Sequence, residues 1–520
     1  MARHGGRFGA VLDRRSALKG VVATTGALLL PATARGITSA PRHGGTLRIS
    51  MPYNPAALDP MTGRNLPDFN TLYAIFDALI DYDPATLDLK PGLARAWRFS
   101  DPKALVLDLV EGVEFHDGTP FSAESAKFNL DRYLNDPRSN VKSDLNTVQG
   151  TSITGRTQIT IHLKKPNSGL PAILTNRCGL MVSPASVKQH GNVDRMPVGT
   201  GPFKFVGWRD NDRITVERNK NYWRAGLPYL DGLELRIMSE LNTVARTVTS
   251  GQADIALNVG AQQKLVADRQ GHTKSYSTPS LTFFGAFLNY GRQPLSDVRL
   301  RQAMNYALDR DTINKIVNGG LGETTSTVMP RSFWACDPAT AGYYTHDPER
   351  ARKLVAEAGH AGGIEIAAWG WPDQTSMQRQ ELVVSQLAHA GIHVNLIPAG
   401  PPQAMEGFMI KKQRAMLISP QGALPDPSQI YERLFAAEAL RNAGSVELPG
   451  FRALMDATTE AQDRPTRKAA FAKLQRFVVE QAMQLPQFIA PEIAIAGPKV
   501  RNYRDGLLGT PKFTEVWLEA

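Results

Sequence analysis

The segment Gly112–Asn129, GVEFHDGTPFSAESAKFN, is the most informative stretch of the chain. Within it, Asp117-Gly118 supplies the positive-φ position of a tight turn, and Pro120 fixes the backbone after that turn. Ser122 is a favourable N-cap for a following helix. The preceding residues Leu105–Leu109, LVLDL, predict a strand that leads into the turn. The stretch therefore predicts a strand, a turn and a capped helix, and it contains no catalytic motif.

Further along the chain, short strands and helices alternate without an internal repeat. Ile364–Ala368 predicts a strand, Met377–Ala390 has the apolar spacing of a helix, and Val394–Ile397 predicts another strand. This order is typical of an α/β unit with a parallel sheet, in which ligands bind beyond the carboxyl ends of the strands. The sequence therefore predicts an α/β fold.

Three segments, Pro91–Phe121, Val198–Asn219 and Phe283–Ala303, carry a family resemblance. They resemble extracellular solute-binding protein family 5, the dipeptide, oligopeptide and nickel receptors of ABC importers, and the resemblance covers nearly all of the chain beyond its export segment. It implies an α/β, two-lobed periplasmic-binding-protein clamp, type II-like, with an extra subdomain on the first lobe. It also implies a small-molecule ligand, and an ABC permease in the inner membrane as partner.

The resemblance implies that the chain crosses between the two lobes twice. The crossings are expected near Thr278 and Leu485, which should lie side by side as a hinge, and the tail Phe513–Leu518 is expected to complete the sheet of the first lobe. The predicted parts are a first lobe made of residues 44–80, 188–277 and 486–520, a subdomain at 81–187, and a second lobe at 278–485.

The N-terminus has the pattern of an export signal. An apolar run, Val21–Leu30, follows Arg14-Arg15 and is shorter than the ~20 residues that a transmembrane helix needs. A small-x-small pattern ending at Ala34 predicts a signal peptide at 1–34, with cleavage as late as residue 40 as an alternative.

The paired arginines resemble a twin-arginine signal, but Asp13 and Ala17 depart from that pattern, so Sec export stays open. No cysteine follows the apolar run. We therefore predict a periplasmic product without a lipid anchor.

Composition points neither to a nucleic-acid partner nor to an enzyme. The chain has 520 residues and a formal net charge of +10, but its basic residues are scattered, and Lys411–Arg414 is the one dense run. No metal, nucleophile-elbow or phosphate-loop pattern occurs. We predict a monomeric binding protein with no cofactor and no metal. A periplasmic hydrolase and a ligand-presenting sensor on the same scaffold are the alternatives. Cys178 and Cys336 are expected to be buried free thiols rather than a disulfide.

The loop Ile418–Pro427, ISPQGALPDP, bears on the ligand. The family's peptide receptors hold the free amino end of the peptide with an aspartate in the corresponding loop, and that position is Ala423 here. An ammonium group buried without a carboxylate would be an unpaired charge. We therefore expect a ligand other than an ordinary free peptide. Asp426 is either a nearby substitute for the missing carboxylate or a structural Asp-Pro turn residue.

Aromatic side chains at strand ends, together with a few polar groups, are the other candidates for the cleft, because ligand pockets combine apolar walls with placed polar groups. No histidine pair has metal-ligand spacing, so nickel would enter only as a chelate. The predicted ligand-binding residues are Tyr53, Asn54, Phe283, Phe284, Trp334, Trp369, Trp371, Gln421 and Asp426.

Overall fold

In the computed structural model, which describes residues 40–63 and 66–520, a mixed sheet of eleven strands is the central element. The predicted signal peptide lies outside the described residues. The strands are β1 Thr46–Met51, β2 Ile80–Tyr82, β3 Leu89–Pro91, β4 Ala94–Asp101, β5 Ala104–Leu109, β6 Val148–Gly155, β7 Gln158–Leu163, β8 Phe203–Arg209, β9 Arg213–Arg218, β10 Gly232–Ile237, β11 Ile255–Ala256, β12 Lys274–Leu288, β13 Glu323–Thr324, β14 Ile364–Gly370, β15 Ile392–Pro398, β16 Met416–Gln421, β17 Gln484–Ala496, β18 Val500–Arg501 and β19 Trp517–Leu518.

Helices cover the sheet and connect its strands. Short 3-10 turns occur at Lys142–Leu145 and Arg177–Gly179, and a π-turn occurs at Glu406–Ile410. The α-helices are α1 Leu66–Ile75, α2 Ala123–Asn135, α3 Leu170–Ile173, α4 Pro184–His190, α5 Leu241–Thr249, α6 Ala261–Gln270, α7 Val298–Ala307, α8 Arg310–Asn318, α9 Pro338–Ala341, α10 Pro348–Glu357, α11 Gln374–His389, α12 Pro401–Met405, α13 Pro427–Phe435, α14 Phe451–Glu460 and α15 Arg464–Glu480.

The strand order of the large sheet is β15-β14-β16-β12-β17-β11-β1-β10-β9-β8, with β13 paired to β17. The long strands β12 and β17 connect its two ends. They run antiparallel, with Thr278 opposite Glu492 and Ala286 opposite Leu485. The two segments predicted as crossings are therefore hydrogen-bonded neighbours, although Thr278 and Leu485 are not direct partners. The position of the hinge stays a prediction.

The β12–β17 ladder is interrupted at one place near the predicted crossing. Pro279 faces Pro491, and the next pair is Phe283 with Ile489, so three residues of β12 stand opposite one residue of β17. Ser280 donates its hydroxyl to the carbonyl of Ala490, at 2.9 Å. Proline has no backbone N–H to donate, so the ladder is weakened at this bulge.

The sequence Gly112–Asn129 forms the predicted turn and the start of the predicted helix, and it follows β5 of a smaller antiparallel sheet of order β4-β5-β7-β6. Gly118 has φ +82°, and the Ser122 hydroxyl accepts from the backbone of Ser125 as the N-cap of α2. The ring of His116 bonds through Nε2 to the carbonyl of Gly201, at 2.9 Å, and burial lowers its pKa to about 4. His116 therefore has a structural role.

The predicted strand-helix-strand unit of β14, α11 and β15 is confirmed, and the two strands are parallel. Helix α11 begins at Gln374, earlier than predicted, because the Asp373 carboxylate caps it by accepting from the Ser376 backbone. Both cysteines, Cys178 and Cys336, are buried and unpaired, which confirms that expectation.

The prediction for the C-terminal tail is wrong. β19 pairs with β18 in a separate ladder, with Val500 opposite Leu518 and Arg501 opposite Trp517, and it does not join the large sheet. Both edges of β17 are already occupied, by β12 on one side and by β11 and β13 on the other. The chain reverses after Ala496, and the tail pairs with the strand nearest to it.

Candidate functional site

A cavity of about 590 Å³ lies between the predicted subdomain and the predicted second lobe. On the subdomain side its wall is formed by the 3-10 turn Lys142–Leu145, the region of α3, and Arg177. On the other side the wall is formed by α12, α13, α14 and the segment Ala436–Arg441 after α13. Three methionine side chains supply adaptable apolar surface, namely Met405, Met409 and Met455.

Ion pairs join the two walls. Arg433 on α13 donates to Asp144 of the subdomain, with Nη2 2.7 Å from Oδ1, and Lys165 of the subdomain lies 3.2 Å from Asp456 on α14. Arg177 is 3.8 Å from Asp144 and also donates to the carbonyl of Gly63. These carboxylates of the cavity wall are therefore already neutralised by neighbouring cations.

Two glutamates of the wall share one arginine. Glu432 and Glu438 lie 3.1 Å and 3.4 Å from the guanidinium of Arg452, which also binds Glu447 at 2.6 Å. Burial opposes the charge of Arg452, but these carboxylates outweigh it and raise its pKa. The acidic side chains of this wall are thus engaged within the protein.

Arg441 differs from the other charged residues of the cavity. Within the described ranges its guanidinium forms no hydrogen bond and no ion pair, and its Cζ lies 5.0 Å from the ring centroid of Phe287. Loss of hydration and, to a smaller extent, the like charge of Arg433 lower its pKa to about 9. At neutral pH the group is still protonated, so the cavity wall carries one positive charge without a partner.

Asp426, one of the predicted ligand-binding residues, is engaged inside the fold. Its carboxylate accepts from Nη2 of Arg467, at 2.9 Å and 3.0 Å, and both side chains are at most 9% exposed. It also caps α13 by accepting from the backbone of Ser428, at 2.9 Å. This is the structural role that the Asp-Pro pattern offered as the alternative, and it leaves the carboxylate no free position for a ligand.

The predicted aromatic residues occupy several environments. Phe283 is fully buried in the core, and Phe284 stacks on Phe488 with centroids 5.2 Å apart. Trp334 packs edge-on against Phe471. Trp369 is buried, and Cζ of Arg414 lies 4.5 Å from the centroid of its ring. Core packing accounts for most of these side chains.

Trp371, Gln421 and Arg379 belong to a group of polar atoms without partners, on the β14, β16 and α11 side of the sheet. Trp371 Nε1, Gln421 Oε1 and Arg379 Nε and Nη2 are buried and unbonded. Arg379 lies 4.4 Å above the ring of Phe284, and burial lowers its pKa to about 10. Sequence reasoning found Trp371 and Gln421 here but missed Arg379.

Tyr53 and Asn54 follow β1. Tyr53 is 54% exposed. Partial loss of hydration at its hydroxyl raises its pKa, and the negative charge of Asp373, the cap of α11, contributes to the rise. Asn54 Oδ1 accepts from Trp208 Nε1, at 3.2 Å, so this amide has a structural partner. Ala423 is half-buried and packs against the core.

None of the nine predicted ligand-binding residues lines the 590 Å³ cavity. In the described part of the chain, no cluster of three or more histidine, cysteine or acidic side chains is arranged to hold a metal ion. Nor does any helix in that part combine the length and apolarity needed to cross a bilayer.

Comparison with known proteins identifies the family. Residues 88–440 match the model of bacterial extracellular solute-binding proteins, family 5, middle region. The chain belongs to this family. The family binds solutes for ABC importers, and the architecture is that of its two-lobed clamp.

Curated and structural relatives of this family 5 protein include receptors for different solutes. The glutathione-binding protein GsiB of Pectobacterium atrosepticum is 29% identical over 364 residues, which is 68% of this chain and 70% of the relative. Helicobacter pylori DppA, solved with the peptide STSA, has a TM-score of 0.82 at 20% identity and covers 92% of this chain and 99% of its own. AgaA of A. tumefaciens R10, solved with agropinic acid, has a TM-score of 0.81 at 22% identity, with the same coverage.

Proposed function

We propose that this family 5 protein works in the periplasm as the receptor of an ABC importer, where it captures a small organic solute between its two lobes and delivers it to the permease. The 590 Å³ cavity carries the proposal, because its lining residues, at 140–177 and 405–459, fall within the predicted subdomain and the predicted second lobe. A ligand that touches both walls binds the closed form better than the open form, and this difference drives closure. Delivery to the permease requires no bond chemistry.

The proposed ligand is not an ordinary free peptide. Ala423 provides no carboxylate at the position where the family's peptide receptors place one, and Asp426 is occupied by Arg467. Asp144, Glu432 and Asp456 of the cavity wall are already paired with cations, so a free α-ammonium would enter the cavity without an unengaged counter-ion, which costs several kcal/mol. The range of solutes bound by GsiB and AgaA supports a ligand outside the dipeptides.

Mass spectrometry of small molecules released on denaturation tests the proposal directly. We expect one bound compound of a few hundred daltons, a size that fits a pocket of this volume. Titration calorimetry against di- to tetrapeptides should give no binding at micromolar concentration. Binding of several free peptides in that range would contradict the ligand assignment.

A matched pair of variants tests the location. Ala439 lines the cavity, whereas Ala437, two residues earlier, does not. Ala439→Trp should fill the cavity and abolish binding of the released compound, and Ala437→Trp should leave it intact. Equal binding by both variants would place the ligand elsewhere, with the polar group around Trp371 and Arg379 as the next site to test.

A further inference from the structure

We infer that the ligand carries an anionic oxygen group, a carboxylate or a phosphate ester, and that Arg441 is its counter-ion. This inference rests on the proposed function in one respect, that the cavity holds the ligand. It adds the chemical class of the ligand and the residue that selects it.

The first step is the balance of charge in the cavity wall. Asp144 is bound by Arg433 and Arg177, and Asp456 is bound by Lys165. The two glutamates of the wall are bound by Arg452, which lies behind them. Among the charged side chains that line the cavity, Arg441 is the one that forms no ion pair and no hydrogen bond with the described residues.

The second step is that several buried arginines of this protein are satisfied internally, whereas Arg441 is half-buried at the cavity wall. Arg301 donates to the carbonyls of Leu295, Ser296, Gln481 and Ala482. Arg310, Arg467 and Arg132 likewise have carbonyl or carboxylate partners, namely Pro486, Asp426 and Asp59.

Burying a cation without a partner is costly, because the charge loses its hydration and gains nothing in return. Arg379 shares this condition but does not line the cavity. Arg441 is therefore the unpartnered cation that a solute in the cavity can reach.

The third step is geometry. Phe287 packs against the guanidinium, which holds it in place and leaves its N–H groups available for a ligand. Guanidinium N–H groups match the two oxygens of a carboxylate or phosphate in a bidentate pair, which is stronger and more directional than a neutral hydrogen bond. The methionines of the wall suit the organic part of the ligand.

Thermal shift assays on the full mature chain provide the screen. The probes are small organic acids paired with their primary amides, and phosphate esters paired with their parent alcohols. We expect stabilisation by acids or by phosphate esters, with at least a tenfold weaker Kd for the uncharged member of each pair. The two arms distinguish a carboxylate from a phosphate ligand.

Variants then test the residue. Arg441→Gln should raise the Kd of the best anion tenfold or more, leave the Kd of its neutral partner unchanged, and so abolish the discrimination. Arg441→Lys should recover part of it. Arg476→Gln, at an exposed arginine that pairs with Glu480, is the control and should bind like the unaltered protein.

Failure of the inference is distinguishable from failure of the proposed function. Tight binding of neutral solutes with no preference for anions, or undiminished anion binding by Arg441→Gln, would overturn the role of Arg441 and leave the receptor function standing. Absence of binding in every arm, together with a protein that purifies empty, would count against both.

Discussion

Arg467 and Arg441 are two arginines of the predicted second lobe, and they differ in one respect. Arg467 faces the carboxylate of Asp426 at the start of α13, whereas Arg441, beyond the end of α13, faces a cavity. A buried charge that finds its counter-ion within the chain holds the architecture together. A charged side chain that has no counter-ion within the chain indicates a place where a ligand can supply one.

The largest expected effect on stability comes from removing the buried ion pair between Asp426 and Arg467. Asp426→Ala leaves Arg467 buried without a partner and removes the cap of α13, so we expect a loss of about 3 to 5 kcal/mol in the free energy of unfolding. Denaturant unfolding measures it. Asp463→Ala is the control, because Asp463 caps α15 without a buried ion pair and its replacement should cost clearly less. Equal losses would mean that the ion pair adds nothing.

Glu492 extends the comparison to an acidic side chain. A carboxyl group that has no cation nearby can take up a proton, whereas arginine keeps its charge. Burial raises the pKa of Glu492 to about 8, and the charge of Asp505 contributes to the rise. Asn258 is its one hydrogen-bond partner, at 3.5 Å.

Because the folded state holds the Glu492 proton more tightly than the unfolded chain, its contribution to stability is complete at acidic pH and is lost as pH rises through about 8. We expect stability to fall over that range by up to ~1.4 kcal/mol per pH unit. Glu492→Gln should flatten this part of the unfolding profile. An unchanged profile would contradict the assignment.

A carboxylate added at Ala423 tests selectivity. Ala423 does not line the 590 Å³ cavity, so the test applies to a ligand that extends to the loop Ile418–Pro427. Such a ligand should bind Ala423→Asp more weakly by about 1 to 3 kcal/mol, because the substitution places a negative charge without a partner beside it. Ala423→Asn has nearly the same shape without the charge and should cost less. Calorimetry with the compound released from the purified protein measures both. Improved binding by Ala423→Asp would show that the ligand carries an ammonium group after all.

The smallest expected effect on stability is at Arg441. Arg441→Met removes an unpartnered charge and keeps most of the packing on Phe287, so the ligand-free protein should be unchanged or up to about 1 kcal/mol more stable. Arg467→Met, which leaves Asp426 unpaired, should instead be destabilised. A marked loss of stability in Arg441→Met would mean that this side chain serves the fold.

Much of the fold follows from local sequence. The Asp-Gly turn and Ser122 cap of α2 and the alternation of β14, α11 and β15 are predictable because the residues that decide them are neighbours in the chain. The pairing of β19 with β18 was missed because it depends on which strand edges are already occupied.

The candidate site was harder to predict, for a physical reason. The partner of Asp426 lies 41 residues away, and the isolation of Arg441 is defined by side chains from several segments. The sequence around Arg441 contains no motif that marks it. The sequence predicts aromatic residues at strand ends as ligand-binding residues instead, and packing in the core accounts for most of these side chains.

The facing prolines of the β12–β17 ladder limit how the molecule can move. At the rung where Pro279 meets Pro491 there are no N–H donors to lose. The neighbouring pairs are Thr278 with Glu492 on one side and, beyond the bulge at residues 280–282, Phe283 with Ile489 on the other. We therefore expect bending to be easiest at this place, because sliding of one strand along the other would break the remaining pairs of the ladder. The proposed closure would then have nearly one degree of freedom, the bending angle of the β12–β17 ladder. A permease that recognises the closed receptor would then recognise one closing angle. Solutes of different shape would produce the same closed conformation.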